Sequence, residues 1–527
     1  MAAWYQTKES AICFLNPNLL GPRNVWNHLL WLIEVPRGSG QPELISQKLL
    51  EFGQGLGYDS FRDSAGNIII KKPATPFKEK IPHICLHAHY DIVAVKDIGV
   101  QIDLKKDPLI PRIVPSKEDP NRMLLMATGT SLGADCGIGL AMILAILEDR
   151  TLEHGPIDAL FTRDEETTMA GVNEMEQGEI KAKYIISTDF FTECGLGIGS
   201  QGSMEMQVEI PVKKIELKQV SLVGVQISGL NGGHSGQDVT NNRCNAIKLL
   251  GRAVYQALSI AVLKDQVCIQ SINGGEAMNA IPRSCKGIFV VPILKAKQFE
   301  EVLIQVRDIM RNELQVKEQN FQLDIILDQK DLNEQIIAYN PHSTIQILKA
   351  INILPYGVLQ MSSEYKDVVE LSSNIGMIEL QAPTEISKPG SESNNEEILC
   401  KINVLPRSLK ESELDWMLID IQSQMHLIGG HINHEYTRRH KAWTPQTQGE
   451  LVKKAKDCIR EANKGAKAKE VVMCGTTEMP QLLIKIPDSQ GISIGCRVDN
   501  LHSPQEMVYI DTAEPAYEAL VRLLSRL

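Results

Sequence analysis

Three short apolar runs in this chain end in acidic residues, and that pattern limits its fold more than any other. In "DALFTRDEETTMAG" the run Ala159-Leu160-Phe161 leads straight into Asp164, Glu165 and Glu166. "PHICLHAHYD" ends in His89 and Asp91, and "KYIISTDF" carries Asp189. Adjacent carboxylates repel one another, and each loses hydration if the fold encloses it. Short apolar runs bounded by polar turns read as buried strands. In open α/β sheets, functional groups gather at the carboxyl ends of such strands.

Helical patterns alternate with these strands through the first two hundred residues. "NVWNHLLWLIEV" has helical spacing and "CGIGLAMILAILED" reads as a mostly buried helix. The alternation predicts an α/β sheet with helices on its faces. Around residues 203–410 the texture changes to amphipathic strands and helices, as in "MEMQVEIPV", "NAIKLLGRAVYQAL" and "FQLDIILD". That stretch reads as a separate α+β domain of about 200 residues, large enough for its own core. The final hundred residues return to α/β texture. The expected organisation is a first domain from residues 1–204 and 411–527, interrupted by an inserted domain, 205–410. "APTEISKPGSESNNEE", residues 382–397, reads as a surface loop.

Composition narrows the function classes. Lys plus Arg number 54 against 65 Asp plus Glu, a formal net charge of -11, which argues against nucleic-acid and anionic-membrane partners. The 11 cysteines are scattered without a CxxC pair, the usage of reduced thiols in a cytoplasmic protein. The opening stretch lacks a basic segment followed by an apolar one, so no secretory signal is expected. No apolar run approaches the ~18 residues of a membrane span.

The strand-end residues make a chemically coherent set. "GTSLGADCGIG" places Asp135 just before a helix, and "GISIG" runs into a loop with His502. A lone acid at a strand end is usually a solvated turn residue, and a lone buried histidine is usually a satisfied core residue. Two histidines and several carboxylates at strand or helix ends are instead ligand chemistry for zinc or a similar divalent ion. His89 and Asp91 are two apart on an extended segment and point to one side. Two Zn²⁺ ions would neutralise three ligating carboxylates and a hydroxide. "GGHSG" does not make Ser235 a nucleophile, because the hydrolase elbow needs Gly at position 237 and Gln stands there. "GLGIGSQG" lacks the context of a phosphate loop and reads as a domain crossover. "HLIGGHINHEYTRRH" holds four histidines without recognised ligand spacing and reads as strand and turn.

At these residues the sequence resembles the M20 metallopeptidases, and within them the aminoacyl-histidine (Xaa-His) dipeptidases. The resemblance is carried by "VWNHLLWLIEVPRGSG", "HAHYDIV", "GTSLGADCGIGLAMILAILED", "LFTRDEETTMAG", "ISTD", "GLNGGHSGQDVTNNRCNAIKLL", "NGGEAMNAIPR" and "SIGCRVDNLHSPQE", in family order. It implies a mixed-sheet zinc-peptidase catalytic domain interrupted by an inserted α+β lid. It also implies two zinc ions, or another divalent metal, held by His89, Asp135, Glu166, Asp189 and His502, with Asp135 bridging. By the same resemblance Glu165 is the general base for a bridging water, and Asp91 supports the site. His234 is the candidate donor to the tetrahedral intermediate. Asn279, Arg283 and Arg407 stand where the family binds substrate, with Arg407 favoured over Arg283 for a dipeptide carboxylate.

The resemblance also exposes departures. Cys136 replaces the Asn that usually follows the bridging Asp, at a peptide bond typically cis in the family. Thr168 stands where the family has Gly. "MCGTTEM" lies where the family has "HAGLECG", with Met473 for His, Thr477 for Glu and Glu478 one place off. The expected function is metal-dependent hydrolysis of small unblocked dipeptides, Xaa-His or carnosine-like. An aminoacylase or a dipeptidase of other preference is the alternative within enzymes. A non-catalytic binding protein that kept the fold is the alternative of another class, and retention of all five ligand positions argues against it. Family members often dimerise through the lid; a lid of this size could instead fold its own second half over the site.

Overall fold

The computed structural model describes residues 21–97, 99–329, 334–383 and 398–527. Residues 384–397 of the expected surface loop lie outside the described residues. The chain folds as two compact units. The first joins the described residues up to Ser200 with Trp443–Met473 and Thr477–Leu527; the second is Gln201–Ala442 with Cys474–Thr476.

The first unit is built on an eight-stranded sheet. Its order is Asp59–Arg62, Ile68–Lys72, Ile157–Thr162, Ile84–His89, Tyr184–Ser187, Gln490–Ser493, Gly195–Ser200 and Lys469–Met473. The central strands Ile157–Thr162, Ile84–His89 and Tyr184–Ser187 run parallel, so their carboxyl ends lie along one edge. All three are buried along their whole length, as expected for strands covered on both faces. Helix Ala134–Glu148 is buried from Ala134 to Leu147 and packs between strand Ile84–His89 and helix Arg23–Ile33. A smaller four-stranded sheet joins Pro111–Pro115, Met123–Ala127, Met507–Tyr509 and Val498–Asp499.

The second unit is an antiparallel sheet whose main path has eight strands, from Gln322–Gln329 at one edge to His431–His440 at the other. Helices Ala246–Ile260, Ile293–Leu314, Pro341–Ile353 and Glu411–Leu427 supply the other half of its core. The boundary expected after residue 410 therefore differs from the observed one at Ala442. Strand His431–His440 pairs with Gly202–Pro211, and Glu411–Leu427 buries Leu414, Met417, Ile421 and Met425 in this core. The strand lies at a sheet edge and is mostly exposed or half-buried, so it lacks the apolar pattern that marks a domain's interior. Two of its histidines, His431 and His440, face Glu209 and Glu205 of the adjoining strand at 3.2 and 3.7 Å. Among the described residues no helix is long and apolar enough to cross a membrane.

Asn245 starts the helix at the centre of the second unit. Its side-chain oxygen accepts from Ile247 N–H and Lys248 N–H, and its amide donates to Ile375 O at 2.8 Å. One buried side chain thus caps a helix and ties it to the sheet. Asn245→Ala removes both functions and is expected to destabilise the protein by about 1–3 kcal/mol. A lowered urea midpoint, read by circular dichroism of the full chain, would show it; an unchanged midpoint would contradict the assignment.

Candidate metal centre

The first unit brings five of the expected residues into one cluster. His89 Nε2 lies 3.0 Å from Asp135 Oδ1 and 3.9 Å from Asp189 Oδ1. His502 Nε2 lies 3.2 Å from Asp135 Oδ2 and 2.9 Å from Glu166 Oε2. Asp135 therefore stands between the two histidines and offers one oxygen to each. His89 and Asp189 arrive at the ends of parallel strands, and Glu166 on the turn that follows a third. His502 comes from the connection between Val498–Asp499 and Met507–Tyr509, with a left-handed φ of 59°.

Asp91 acts on this arrangement through the backbone. Its carboxylate accepts Glu165 N–H at 3.1 Å and Glu166 N–H at 3.3 Å, and the Ser39 hydroxyl donates to it at 2.7 Å. His89 Nδ1 lies 3.2 Å from Asp91 O. One residue thus fixes the acid turn and the far side of the imidazole, which sets the direction of Nε2. Asp164 takes no part in the cluster. It adopts a left-handed φ of 54°, accepts Gly40 N–H at 2.7 Å, and pairs with Arg163 at 2.7 Å. Its main-chain oxygen accepts Met169 N–H at 2.7 Å and Thr168 N–H at 3.1 Å, which closes the turn. Thr168 is an exposed member of that turn.

The loop before Asp135 depends on a residue that sequence reasoning did not single out. Glu506 is 1% exposed and accepts four successive backbone N–H groups, from Leu132, Gly133, Ala134 and Asp135, at 2.8–3.1 Å. The buried Arg37 guanidinium binds Tyr90 O at 3.1 Å and also Gly133 O, joining this loop to the His89 strand. Gly133 has a φ of +67°. At Gly139 a Cβ would stand 2.5 Å from Thr188 O, so glycine lets the helix approach the strand end that carries Asp189. The Asp135–Cys136 peptide is cis. His87 was also missed: it bridges Ser187, Thr162 and the buried Glu478 at 3.0, 3.1 and 3.0 Å. Local sequence carries little trace of Glu506 or Arg37, because their partners lie hundreds or scores of residues away.

Burial and mutual repulsion set the electrostatics of the cluster. Burial drives the Glu165 carboxyl well above its ordinary range; His89 opposes the shift, and Glu166, Asp189 and Glu478 add to it. Burial likewise pushes Asp189 up to about 7, against the pull of His89. Desolvation lowers His502, yet its hydrogen bonds to Asp135 and Glu166 carry it up to about 11. Burial thus raises the proton affinity of Glu165, Glu166 and Asp189, while their carboxylates and Asp135 raise that of the histidines. Glu166 Oε1 is buried and has no hydrogen-bond partner among the described residues. Two donor groups, His89–Asp135–Glu166 and His89–Cys136–Asp189, each have ligand atoms within 4.8 Å of one another. Imidazole and carboxylate donors of this kind suit a divalent cation.

The other expected residues lie in the second unit. His234 sits on a two-residue strand, Gly233–His234, paired with Ala280–Ile281. Asn279 is beside it, with its carbonyl accepting Ser235 N–H at 2.8 Å. Arg283 is exposed and packs at Gly232. His234 Nδ1 accepts Gly236 N–H and Gln237 N–H at 3.2 and 3.1 Å, so the neutral ring carries its proton on Nε2. Arg407 is elsewhere, on strand Leu399–Ser408, and is 4% exposed. Its Nε and Nη1 have no hydrogen-bond partner among the described residues, and burial draws its pKa down to about 10. Ser203 and Ser372 flank it in register.

Residues 85–526 match the profile of peptidase family M20/M25/M40. The chain is 28% identical over 513 residues to the cytosol non-specific dipeptidase of Escherichia coli (strain K12), covering 96% of this chain and 98% of that protein. It is also 28% identical to the aminoacylhistidine dipeptidase of Vibrio alginolyticus. That crystal structure matches with a TM-score of 0.75, over 96% of this chain and 97% of that one. Aminopeptidase PepT of Bacillus cereus, 14% identical, shares the fold at a TM-score of 0.55, over 96% of this chain and 99% of that one. With most of its length inside the family profile, and a histidine–carboxylate cluster at its strand ends, the chain belongs to peptidase family M20/M25/M40 and is a metal-dependent hydrolase.

Proposed function

We propose that the chain is a cytoplasmic dipeptidase that hydrolyses the peptide bond of small unblocked dipeptides of the Xaa-His or carnosine-like class, using two zinc ions. The observation that carries this reading is the shared Asp135, with one oxygen towards each histidine and Glu166 and Asp189 on either side. The similarity to a non-specific dipeptidase and to an aminoacylhistidine dipeptidase supports the substrate class.

Bound zinc would supply Lewis acidity towards the scissile carbonyl and acidify the attacking water. The chain's own residues do the rest. Glu165 is held by Asp91 beside the ligand Glu166, in surroundings that raise its affinity for a proton. That suits a base which takes a proton from water and returns it to the leaving amine. His234, with its proton on Nε2, suits a donor to the oxygen on which negative charge develops. Arg407 has buried N–H donors without a hydrogen-bond partner among the described residues, beside two serines; it suits the carboxylate of a dipeptide.

Three outcomes test the reading. The purified protein should hydrolyse a dipeptide panel that includes β-alanyl-histidine and lose that activity with a chelator. Absence of both metal and hydrolysis would refute it, whereas hydrolysis indifferent to a C-terminal His would refute only the specificity. Glu165→Gln should keep its metal by elemental analysis and lose kcat by about 10²–10⁴-fold; near-normal turnover would remove Glu165 as the base. Glu506→Gln should weaken metal binding by about 10–100-fold in equilibrium dialysis, because the Asp135 loop loses its anchor. Unchanged affinity would show that the loop holds itself.

A further inference from the structure

Cys136 has no role in the reading above, on which the following rests. It directly follows Asp135, is fully buried, and lies close to Thr188, the neighbour of Asp189. Gly139 lets its helix lie against the same residue. The Cys136 sulfur is consequently grouped with ligand atoms of His89 and Asp189, all within 4.8 Å of one another. No other described cysteine stands in such a group of three donors. His89 belongs to both donor groups, while Cys136 belongs only to the one with Asp189.

We propose that Cys136 is a sulfur ligand at the metal position bounded by His89 and Asp189. The two metal positions of this chain then differ in kind. The other, bounded by His502, Asp135 and Glu166, is made of nitrogen and oxygen alone. Donor atoms around a tetrahedral zinc stand about 3.4–3.7 Å apart at ordinary bond lengths. A group already within 4.8 Å closes to that spacing by small side-chain movements. The thiol proton leaves to solvent as the sulfur–metal bond forms, as for any cysteine ligand. A soft thiolate favours zinc and cadmium over magnesium and manganese. At the position where the resembling dipeptidases have an amide, this chain would carry a selector for soft metals.

The competing account is that the thiol only packs beside Thr188. X-ray absorption of the full-length, zinc-loaded protein separates the two. One sulfur at about 2.3 Å for every two zinc ions is expected, against nitrogen and oxygen alone if Cys136 only packs. The cobalt-loaded protein should show a thiolate-to-cobalt charge-transfer band in the near ultraviolet. Both signals should vanish in Cys136→Ser. That variant and Cys136→Asn should lose about tenfold or more in zinc affinity at one of the two equivalents, with little change for manganese. Two bound equivalents without a sulfur signal, or a sulfur signal that survives Cys136→Ser, would overturn the proposal and leave the dipeptidase reading standing. A wild-type chain that binds no divalent metal would overturn both.

Discussion

Everything in the first unit answers to one constraint: several carboxylates must share a desolvated pocket without driving it apart. Asp135, Glu165, Glu166 and Asp189 lie around His89, and burial alone would push most of their protons back on. Asp135 escapes that fate. Hydrogen bonds from His502 and His89 outweigh its desolvation and hold it below the ordinary carboxylate range. The same bonds raise the proton affinity of both histidines. A cluster that draws protons onto imidazoles in this way is poised for cations, and a divalent ion neutralises it better than two protons can.

The scaffold around the cluster spends its hydrogen bonds on backbone. Asp91 holds two N–H groups of the acid turn, and Glu506 holds four of the loop before Asp135. Arg37 ties that loop to the strand that ends in His89. These three residues set directions, and direction is what a polydentate site needs most. Buried charges used this way cost desolvation energy, and each is compensated by several charge-assisted bonds. That division also explains the order along "RDEE". Asp164 closes the turn, Glu165 is held beside the cluster, and Glu166 faces His502.

The fold class was legible because the parallel strands are fully buried and the helices between them keep their spacing. The cluster was legible because His89 ends a strand, Asp135 opens a helix, and Glu166, Asp189 and His502 lie on the segments that directly follow strands. What escaped sequence reasoning has a common physical cause. Glu506 acts 371–374 residues from its partners, and Arg37 acts 96 residues from Gly133. Their chemistry is set by tertiary contact, and no local periodicity reports it. The extent of the second unit was misjudged for a related reason. An exposed edge strand such as His431–His440 has no apolar face to announce which sheet it joins.

The departures from the resembling sequences carry different physical weight. Thr168 sits in an exposed turn closed by Asp164, so a side chain there meets solvent. Glu478, one place from its expected position, is deeply buried against His87 and Thr162, with one oxygen that lacks a hydrogen-bond partner among the described residues. Cys136 lies among ligand atoms. Burial ranks these positions by consequence: a change at an exposed turn alters little, whereas one beside His89 alters the field that every ionisable neighbour feels. The chemistry individual to this chain is therefore to be sought at Cys136 and Glu478, the two departures enclosed with the carboxylates.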